Sequence, residues 1–321
     1  MKPYLCNYYV TYRCNSMCEF CRIWQDKDLA PVDETPLDKI KANLESLKKL
    51  GVTTVEFTGG EPLLREDLPQ ILKTSKDLEF YNNLTTNCIL FPDMAKDIIP
   101  HVDRLLFSLD APEEDEHDRI RGTACFEKVI ESIEIAKRFN KKPIINFTAT
   151  RQSINFLPEM VEIAEKHGLL LWINPVYDFS GLQGFTPETI DHIKYMLRRE
   201  SVAANLAALE FVRRGGNDII KPRCRALHAV VTISPNGKLL LPCFHLREKE
   251  VKIEESLDSL YHSDVVKDEI RSQGKYVKCS GCMAWEYIIP SFNYKIDRYF
   301  FLNLYSLFLE TRKRRRLDAV A

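Results

Sequence analysis

The chain has 321 residues, of which 45% are hydrophobic and 28% are charged, a composition typical of folded globular proteins. Its 45 basic and 46 acidic residues leave a formal net charge of −1, so no overall field attracts nucleic acid. No apolar run approaches the roughly 18 residues of a transmembrane span, and residues 1–4 begin no apolar signal region. These features predict a cytoplasmic protein without a nucleic-acid partner.

Strand-like and helix-like patterns alternate along the first half of the chain. The predicted strands are 4–12, 52–57, 79–86, 104–109, 144–150 and 169–174, and the predicted helices are 36–50, 66–76, 126–140 and 157–167. Six βα steps, each close to the ~30 residues of a βαβ unit, predict a parallel sheet with right-handed crossovers. The expected fold class is α/β, a partial (β/α)6 TIM-like barrel with its site at the C-terminal ends of the strands.

The pattern changes after the sixth strand. Residues 186–213 carry apolar residues at helical spacing and predict one long helix, which ends before Gly215. Residues 229–234 and 238–241 flank Asn236-Gly237, a signal for a β-hairpin. The predicted organisation is a barrel with its long final helix at 1–216, a small domain at 217–286 and an aromatic and basic helix at 287–321.

Ten cysteines are the unusual feature of the composition. Because no secretion is expected, clustered cysteines indicate metal ligation rather than disulfides. Cys14, Cys18 and Cys21 form a C-x3-C-x2-C run after the first strand, and three thiolates leave one iron of a 4Fe–4S cluster open to an outside ligand. A structural zinc loop, completed by a residue from elsewhere, is the alternative. The isolated cysteines are expected to be buried core residues: Cys6, Cys88 and Cys125.

The cysteine run resembles the C-x3-C-x-aromatic-C signature of the radical S-adenosylmethionine (SAM) enzymes, with Phe20 at the aromatic position. Thr58-Gly59-Gly60-Glu61-Pro62 follows the second strand, as the GGE motif of that family does. Two glycines allow the backbone to approach a ligand closely, and Glu61 can accept hydrogen bonds from an ammonium group. The resemblance therefore implies that Phe20, Gly59, Gly60 and Glu61 bind SAM.

The resemblance extends to the end of the fourth strand. Ser108 and Asp110 stand where the family places contacts with the ribose and carboxylate of SAM, and Arg121 resembles the arginine that pairs with the carboxylate. Two alternatives stay open: Arg121 is a solvated charge at a helix start, or Asp110 is the N-cap of the helix after Pro112. Asn87, after the third strand, is expected to cap a loop.

The resemblance also implies a reaction. The open iron chelates the amino and carboxylate groups of SAM, and one electron enters the sulfonium. Cleavage of a carbon–sulfur bond gives methionine and a 5′-deoxyadenosyl radical, which abstracts hydrogen from an unactivated carbon, while the protein positions the reactants in a dry lumen. Such an enzyme needs a one-electron donor such as flavodoxin or ferredoxin, and a reducing or anaerobic environment.

A second set of four cysteines surrounds the predicted hairpin and a helix-like stretch at 257–271: Cys224, Cys243, Cys279 and Cys282. Its C-x18-C-x35-C-x2-C spacing resembles the twitch module, a shortened form of the SPASM module. No cysteine follows Cys282, so the resemblance implies one auxiliary 4Fe–4S cluster that transfers electrons and does not bind substrate directly. Four-thiolate zinc is the alternative.

The four-cysteine form resembles that of the butirosin-pathway alcohol dehydrogenase more than the three-cysteine form of the molybdenum-cofactor cyclase. The chain ends Ala319-Val320-Ala321, without the Gly-Gly tail of that cyclase, so we do not expect that identity.

The C-terminal segment combines aromatic and basic residues. Residues 294–309 are rich in Tyr and Phe, and 312–316 form a basic run directly after them. This composition suits an interfacial helix on an anionic membrane, and the alternative is a helix docked on the barrel or in a dimer. Membrane contact would make the protein peripheral at the inner face of a membrane and would favour a lipid, polyprenyl or other amphiphilic substrate.

Three further functions fit the same motifs. A peptide (RiPP) maturase often carries a peptide-binding domain, for which we expect no room before Cys14. A carbohydrate or alcohol dehydrogenase of the twitch type is the other enzymatic alternative. A non-catalytic, metal-stabilised binding module is disfavoured because the cysteine run, Glu61 and Arg121 are all intact.

Overall fold

A ten-stranded sheet organises the residues that the computed structural model describes, namely 2–29, 32–176 and 186–319. Its strands are β1 (Leu5–Thr11), β2 (Thr54–Gly59), β3 (Tyr81–Thr86), β4 (Arg104–Ser108), β5 (Ile144–Ala149), β6 (Leu170–Pro175), β7 (Val202–Ala203), β8 (Val230–Ile233), β9 (Lys238–Leu241) and β10 (Lys249–Lys252). The helices are α1 (Leu37–Leu50), α2 (Leu68–Asp77), α3 (Phe91–Ile98), α4 (Glu114–Arg121), α5 (Phe126–Arg138), α6 (Leu157–His167), α7 (Pro187–Met196), α8 (Leu206–Arg213), α9 (Ala226–Ala229), α10 (Leu257–Tyr261), α11 (Asp264–Ser272), α12 (Trp285–Ser291) and α13 (Arg298–Ala319).

Strands β1 to β7 lie side by side in chain order and pair in parallel, with helices in the connections between them. The sheet runs from β10 at one edge to β7 at the other and does not close among the described residues. The α/β partial barrel predicted from six βα steps is therefore confirmed. A parallel sheet of this kind brings all its C-terminal strand ends to one side, where the connecting loops can build a site.

The single long helix predicted over 186–213 is wrong. Helices α7 and α8 are separate, and between them β7 pairs with β6 through Leu171 and Val202. The Asn205 side chain then caps α8 by accepting a hydrogen bond of 3.0 Å from the Ala208 N–H. Because β6 would otherwise leave its edge unpaired, backbone pairing there competes with helix formation. The spacing of apolar residues along the chain does not reveal that strand pairing competes with the helix.

The stretch predicted as one helix over 257–271 also divides, because Ser263 interrupts it and α11 begins at Asp264. Helix α3, in the connection between β3 and β4, was not predicted at all.

The predicted hairpin is confirmed, and it extends the barrel sheet. Its turn closes through the Gly237 N–H, which donates to the Ser234 carbonyl oxygen at 3.0 Å, and Gly237 has a φ of +72°. Strand β8 pairs in parallel with β1, with Leu5 opposite Val230, and β10 adds a third antiparallel strand beside β9. Segment 217–286 is thus attached to the barrel through the sheet, and the domain division at residue 216 stays a prediction.

Helix α13 covers the end of the barrel at which the strands begin. Glu310 forms an ion pair of 2.9 Å with Arg104, the first residue of β4. Leu317 packs against Ile144 and Leu170, the first residues of β5 and β6. One face of the C-terminal helix therefore docks on the barrel. Within the described part of the chain, no helix combines the length and the apolar character needed to cross a membrane.

Candidate active site

The cysteines of the first set lie in the loop that follows β1, beside a cavity of about 250 Å3 at the C-terminal strand ends. Its walls include all but one of the residues expected to hold the cluster or SAM: Cys14, Cys18, Phe20, Cys21, Gly59, Gly60, Glu61, Ser108 and Arg121. Further polar side chains from the strand ends complete the lining: Thr58, Thr85, Thr86, Asn87, Asn146 and Thr148. The parallel sheet thus gathers residues that are far apart in sequence.

The cysteine loop is held against the C-terminal end of α4. The Met17 N–H donates to the Arg121 carbonyl oxygen and the Glu19 N–H to that of Ile120, both at 3.0 Å. A Cβ at Gly122, whose φ is +65°, would lie 2.6 Å from the Met17 carbonyl oxygen. Only glycine permits both this close approach and this backbone conformation without strain. The Arg121-Gly122 pair therefore fixes the loop as well as supplying a charge.

Two thiols of this loop have raised pKa values. Burial, together with smaller contributions from the charges of Glu61 and the other two cysteines, raises the pKa of Cys14 to about 11. Burial also raises the pKa of Cys18, although the Arg121 guanidinium, which donates to its Sγ at 3.7 Å, opposes that shift. Both thiols are therefore protonated near neutral pH in the metal-free protein. Since iron binds thiolates, cluster loading is expected to release protons.

Gly59 and Gly60 permit a close approach between two strands. A Cβ on Gly59 would lie 2.1 Å from the Thr11 carbonyl oxygen, and one on Gly60 would lie 2.1 Å from that of Arg13. The Gly60 N–H donates to the Thr11 oxygen at 2.9 Å, and the Glu61 N–H donates to the Arg13 oxygen at 2.8 Å. The expected approach was to a ligand, whereas these atoms meet the chain's own backbone at the end of β1. This contact sets where Glu61 emerges.

Glu61 is buried, with 2% of its surface exposed, and its carboxylate accepts three hydrogen bonds. Oε1 accepts from the Leu63 N–H at 3.0 Å and from the Thr86 hydroxyl at 2.8 Å, and Oε2 accepts from the Asn87 N–H at 2.8 Å. Burial nevertheless raises its pKa to about 7, because desolvation outweighs those three donors. A cation bound beside this carboxylate would stabilise its ionised form.

Asp110 is the one predicted SAM contact outside the lining of the cavity. Its side chain is completely buried and forms an ion pair of 2.6 Å with Arg121, and its Oδ1 accepts from the Thr148 N–H at 2.7 Å. Both alternative interpretations are wrong: Arg121 is buried at the C-terminal end of α4, and the Asp110 side chain does not cap that helix, which begins at Glu114. Asp110 instead neutralises and orients Arg121. The guanidinium carbon of Arg121 lies over the Phe20 ring, 5.5 Å from the ring centroid.

Two residues that the sequence did not assign to the site support it. Asn87 donates through Nδ2 to the Asn15 side-chain oxygen and the Ser16 hydroxyl, both at 2.8 Å, and so ties β3 to the cysteine loop. Burial lowers the pKa of His117 to about 3, and the neutral ring accepts from the Asp110 N–H at 3.1 Å. The position of Asn87 directly after a strand was the available signal, whereas His117 gave none.

Three of the four cysteines of the second set are held by Asn217. The Asn217 side chain accepts from the Cys224 N–H at 3.1 Å and donates to the Cys279 carbonyl oxygen at 3.1 Å, while its N–H donates to the Cys282 carbonyl oxygen at 3.1 Å. Burial raises the pKa of Cys243 well above its usual value, and the charges of the other three thiols raise it further. The four thiols are thus close enough to interact electrostatically.

A larger cavity of about 840 Å3 lies beside the first, and Phe20, Cys21 and Ile23 line both. Its other walls come from the segments next to the second cysteine set: Phe244, His245, Leu246, Arg247 and Lys278. Phe244 stacks on Tyr9 with the ring centroids 4.4 Å apart. His245, for which the sequence indicated no partner, contacts the Glu286 carboxylate through Nε2.

Residues 8–156, which include the cysteine run, Glu61 and Arg121, match a family model described as Radical SAM superfamily. The chain contains a radical SAM domain. It is similar to the "Probable GTP 3',8-cyclase" of Sulfolobus acidocaldarius, with 26% identity over 82% of this chain and 88% of the relative. With this domain, the chain is an enzyme that uses SAM and a 4Fe–4S cluster.

Solved radical SAM structures share the fold. SuiB of Streptococcus suis, bound to the precursor peptide SuiA, superposes with a TM-score of 0.70 and 19% identity over 92% of this chain and 74% of SuiB. The protein described as anSMEcpe with bound AdoMet gives a TM-score of 0.65 and 15% identity over 99% of this chain and 96% of that one. At these identities the likeness concerns the fold.

The donors of the radical SAM site fit a 4Fe–4S cluster better than a zinc ion. In a tetrahedral zinc site with bonds of ~2.3 Å the thiolates lie closer than about 4 Å to one another. Among the described residues, the only group of three or more candidate metal ligands within 4.8 Å of one another is His117, Asp118 and Cys125. In that group the Asp118 carboxylate already accepts from the Cys125 and Phe126 N–H groups, both at 2.9 Å. Neither cysteine set has zinc-like spacing.

Replacing Glu61 with glutamine is expected to weaken SAM binding by the radical SAM domain about tenfold or more, the effect of losing a charge-assisted hydrogen bond. Because the pKa of Glu61 lies at about 7, the wild-type affinity should rise as the pH passes through that value and then level off. The variant should show no such rise. Equilibrium dialysis with anaerobically reconstituted enzyme measures both effects.

Glu56→Gln is the matched control, because Glu56 is a half-buried carboxyl whose pKa is also raised and it does not line the 250 Å3 cavity. An unchanged SAM affinity in Glu61→Gln, or an equal loss in Glu56→Gln, would contradict a specific role for Glu61.

Proposed function

We propose that the enzyme generates a 5′-deoxyadenosyl radical from SAM beside Cys14, Cys18 and Cys21, and uses it to abstract hydrogen from a substrate in the 840 Å3 cavity. An auxiliary 4Fe–4S cluster would be held by Cys224, Cys243, Cys279 and Cys282. The observation that carries the proposal is the cavity wall, since Cys21 lies on one side and Lys278, next to Cys279, on another. A substrate there lies between the two cysteine sets.

The residues around SAM have separate tasks in this proposal. Glu61 accepts hydrogen bonds from the amino group, Arg121 pairs with the carboxylate, and Ser108 contacts the ribose. Phe20, Gly59 and Gly60 shape the wall against which the cofactor lies. Asp110 is a positioning residue, because its ion pair of 2.6 Å holds Arg121 without reaching the cavity.

The larger cavity favours an anionic substrate with a planar ring. Three cations line it, Arg22, Arg247 and Lys278, against the two carboxylates Asp26 and Glu250. The stacked pair of Phe244 and Tyr9 provides an aromatic wall. The relatives named as probable GTP 3',8-cyclases cover most of the chain, so GTP is the first substrate to test, even though the cysteine pattern did not favour that cyclase.

The lipid substrate suggested by the C-terminal segment stays a prediction without support from the cavity. Helix α13 lies where the strands begin, whereas the cavity lies where they end. A lipid at α13 would therefore be on the far side of the barrel from the cysteines. The peptide-maturase and dehydrogenase functions also stay predictions, and SuiB supports the first of them through its fold alone.

The test is SAM cleavage by anaerobically reconstituted and chemically reduced enzyme, with and without GTP. We expect 5′-deoxyadenosine to form, and GTP to increase its formation while being consumed. Lys278→Gln should raise the KM for GTP about tenfold, because it removes a charge-assisted contact. Lys275→Gln is the control, since Lys275 is exposed and lies outside the cavity lining.

The outcomes test two statements separately, namely that the protein catalyses radical SAM chemistry and that GTP is its substrate. No 5′-deoxyadenosine under any condition would contradict radical SAM catalysis and favour a binding module. Formation that is indifferent to GTP would contradict the nucleotide substrate alone and would lead to peptides and carbohydrates as the next substrates.

A further inference from the structure

The most deeply buried residues of α13 are polar, although Tyr299, Leu302 and Leu317 also pack inward. Its four buried residues are Asn303, Ser306, Glu310 and Lys313. Asn303 accepts from the Asn205 side chain at 2.7 Å, and the Ser306 hydroxyl accepts from the Leu206 N–H at 2.9 Å. Buried polar groups are tolerated when they are hydrogen-bonded in this way. Specific polar contacts therefore hold much of the inner face.

Lys313 provides the strongest of these anchors. Its ammonium group donates at 2.6–2.8 Å to three backbone carbonyl oxygens, those of Leu197 and Arg199 after α7 and that of Val202 at the start of β7. Glu310, about one helical turn before Lys313, forms its ion pair with Arg104 at the start of β4. Because Glu310 and Lys313 both find their partners on the barrel side, the rotation of α13 about its own axis is fixed.

That rotation turns large apolar side chains outward. Phe301, Leu304, Tyr305 and Phe308 have 61%, 45%, 52% and 60% of their surface exposed. Their spacing of three and four residues places them in one stripe along the helix. Single exposed apolar residues are ordinary, whereas a contiguous apolar patch marks an interaction surface.

The stripe becomes basic toward the C-terminus. Arg312 and Arg315 continue it at the same spacing, and a shallow groove of about 290 Å3 lies between the two parts. The groove is lined by Phe308, Thr311, Arg312, Arg315, Arg316 and Ala319. Arg312 and Arg316 share Glu200, at 3.8 and 2.6 Å, while Arg315 forms no ion pair with any described residue. More guanidinium groups are present than carboxylates to neutralise them.

We propose that this stripe is a docking surface for an anionic membrane. A helix lying in the plane of the interface inserts its aromatic and aliphatic side chains into the boundary of the acyl chains, while arginines bind headgroup phosphates. The sequence of apolar residues followed by arginines on one face provides both contacts. A helix of 22 residues is about 33 Å long, enough to lie along the surface as one element.

The attachment also sets the orientation of the enzyme. Because α13 covers the starts of β4–β6, docking would turn that end of the barrel toward the lipid. The cavities at the C-terminal strand ends would then open away from the membrane, toward solution. The stripe thus serves as an anchor rather than as an entrance for substrate, and it does not depend on which substrate the enzyme uses.

Vesicle flotation with the reconstituted full chain tests this proposal. The vesicles are phosphatidylcholine alone or phosphatidylcholine mixed with phosphatidylglycerol. We expect binding to the mixed vesicles only, and weaker binding at high salt because the phosphate contacts are screened. Phe308→Ser combined with Arg315→Gln should reduce the binding by on the order of tenfold or more.

The matched control is Phe139→Ser combined with Arg138→Gln, an exposed aromatic and basic pair at the end of α5. It should float like the wild type, and both double variants should retain the SAM cleavage of the wild type. Three results would overturn the proposal: no flotation at low salt, equal flotation with neutral vesicles, or equal loss in the two double variants. A dimer that the Phe308 and Arg315 changes dissociate, without vesicle binding, would assign the stripe to a second copy of the chain instead.

Discussion

Replacing Cys18 with alanine is expected to remove about four iron atoms per chain and to abolish the formation of 5′-deoxyadenosine. Cys18 is buried, and its Sγ accepts a hydrogen bond at 3.7 Å from Arg121, the residue proposed to pair with the SAM carboxylate. With only two thiolates left in the loop, a cubane cluster cannot be held there. Iron analysis and quantification of 5′-deoxyadenosine on the same preparation measure both losses.

Two further cysteine variants sharpen this test. Cys6→Ala changes a fully buried thiol of β1 and should leave the iron content unchanged. Cys243→Ala should also remove about four iron atoms, but it should leave SAM cleavage in place and stop substrate turnover. Retention of a single zinc atom by the Cys18 variant would contradict the auxiliary iron–sulfur cluster and support the four-thiolate zinc site.

Gly60→Ala is expected to lower the free energy of unfolding by roughly 3 kcal/mol or more, in the range of severe overpacking. The added Cβ would lie 2.1 Å from the Arg13 carbonyl oxygen, 2.6 Å from the Arg13 carbonyl carbon and 2.7 Å from the Tyr12 carbonyl oxygen. All three are backbone atoms of the residues directly after β1, so no side-chain rotation relieves the contact. Denaturant unfolding followed by circular dichroism measures the change.

Gly168→Ala separates steric overlap from backbone strain. Gly168 ends α6 with a φ of +66°, and a Cβ there would meet no atom within 4 Å. Its replacement should therefore lower stability by only ~1 kcal/mol, the ordinary penalty for a left-handed alanine. Equal losses in the two variants would show that the contact between Gly60 and β1 relaxes easily.

The candidate site could be predicted from the sequence because the residues expected to form it are local. Cys14, Cys18 and Cys21 lie on one loop, and Gly60 and Glu61 lie on another. Both loops leave the C-terminal ends of parallel strands, whose order follows from the short βα connections. Fold class therefore follows from spacing along the chain, whereas the cofactor chemistry is what the resemblance of the two motifs to radical SAM enzymes implies.

The role of Asp110 was harder to predict from the sequence. Its position at the end of β4 indicated a site residue, but only packing shows that it lies behind Arg121 rather than in the cavity wall. His117, which meets Asp110 from α4, carries no sequence signal at all because its effect depends on burial.

The C-terminal segment shows most clearly which features the sequence determines and which the tertiary structure determines. Composition by itself determined that residues 294–316 form an aromatic and basic element suited to an interface. Only the folded structure decides which face of the helix packs on the barrel. Asn303 and Lys313 find their buried partners there, in Asn205 and in backbone carbonyl groups from the end of α7 to the start of β7. Likewise, residues 202–203 pair with the edge of β6, and this pairing divides the segment that was predicted as one long helix. Local spacing specifies elements and ligand sets, whereas burial and edge pairing depend on contacts between segments distant in sequence and are settled only when the chain folds.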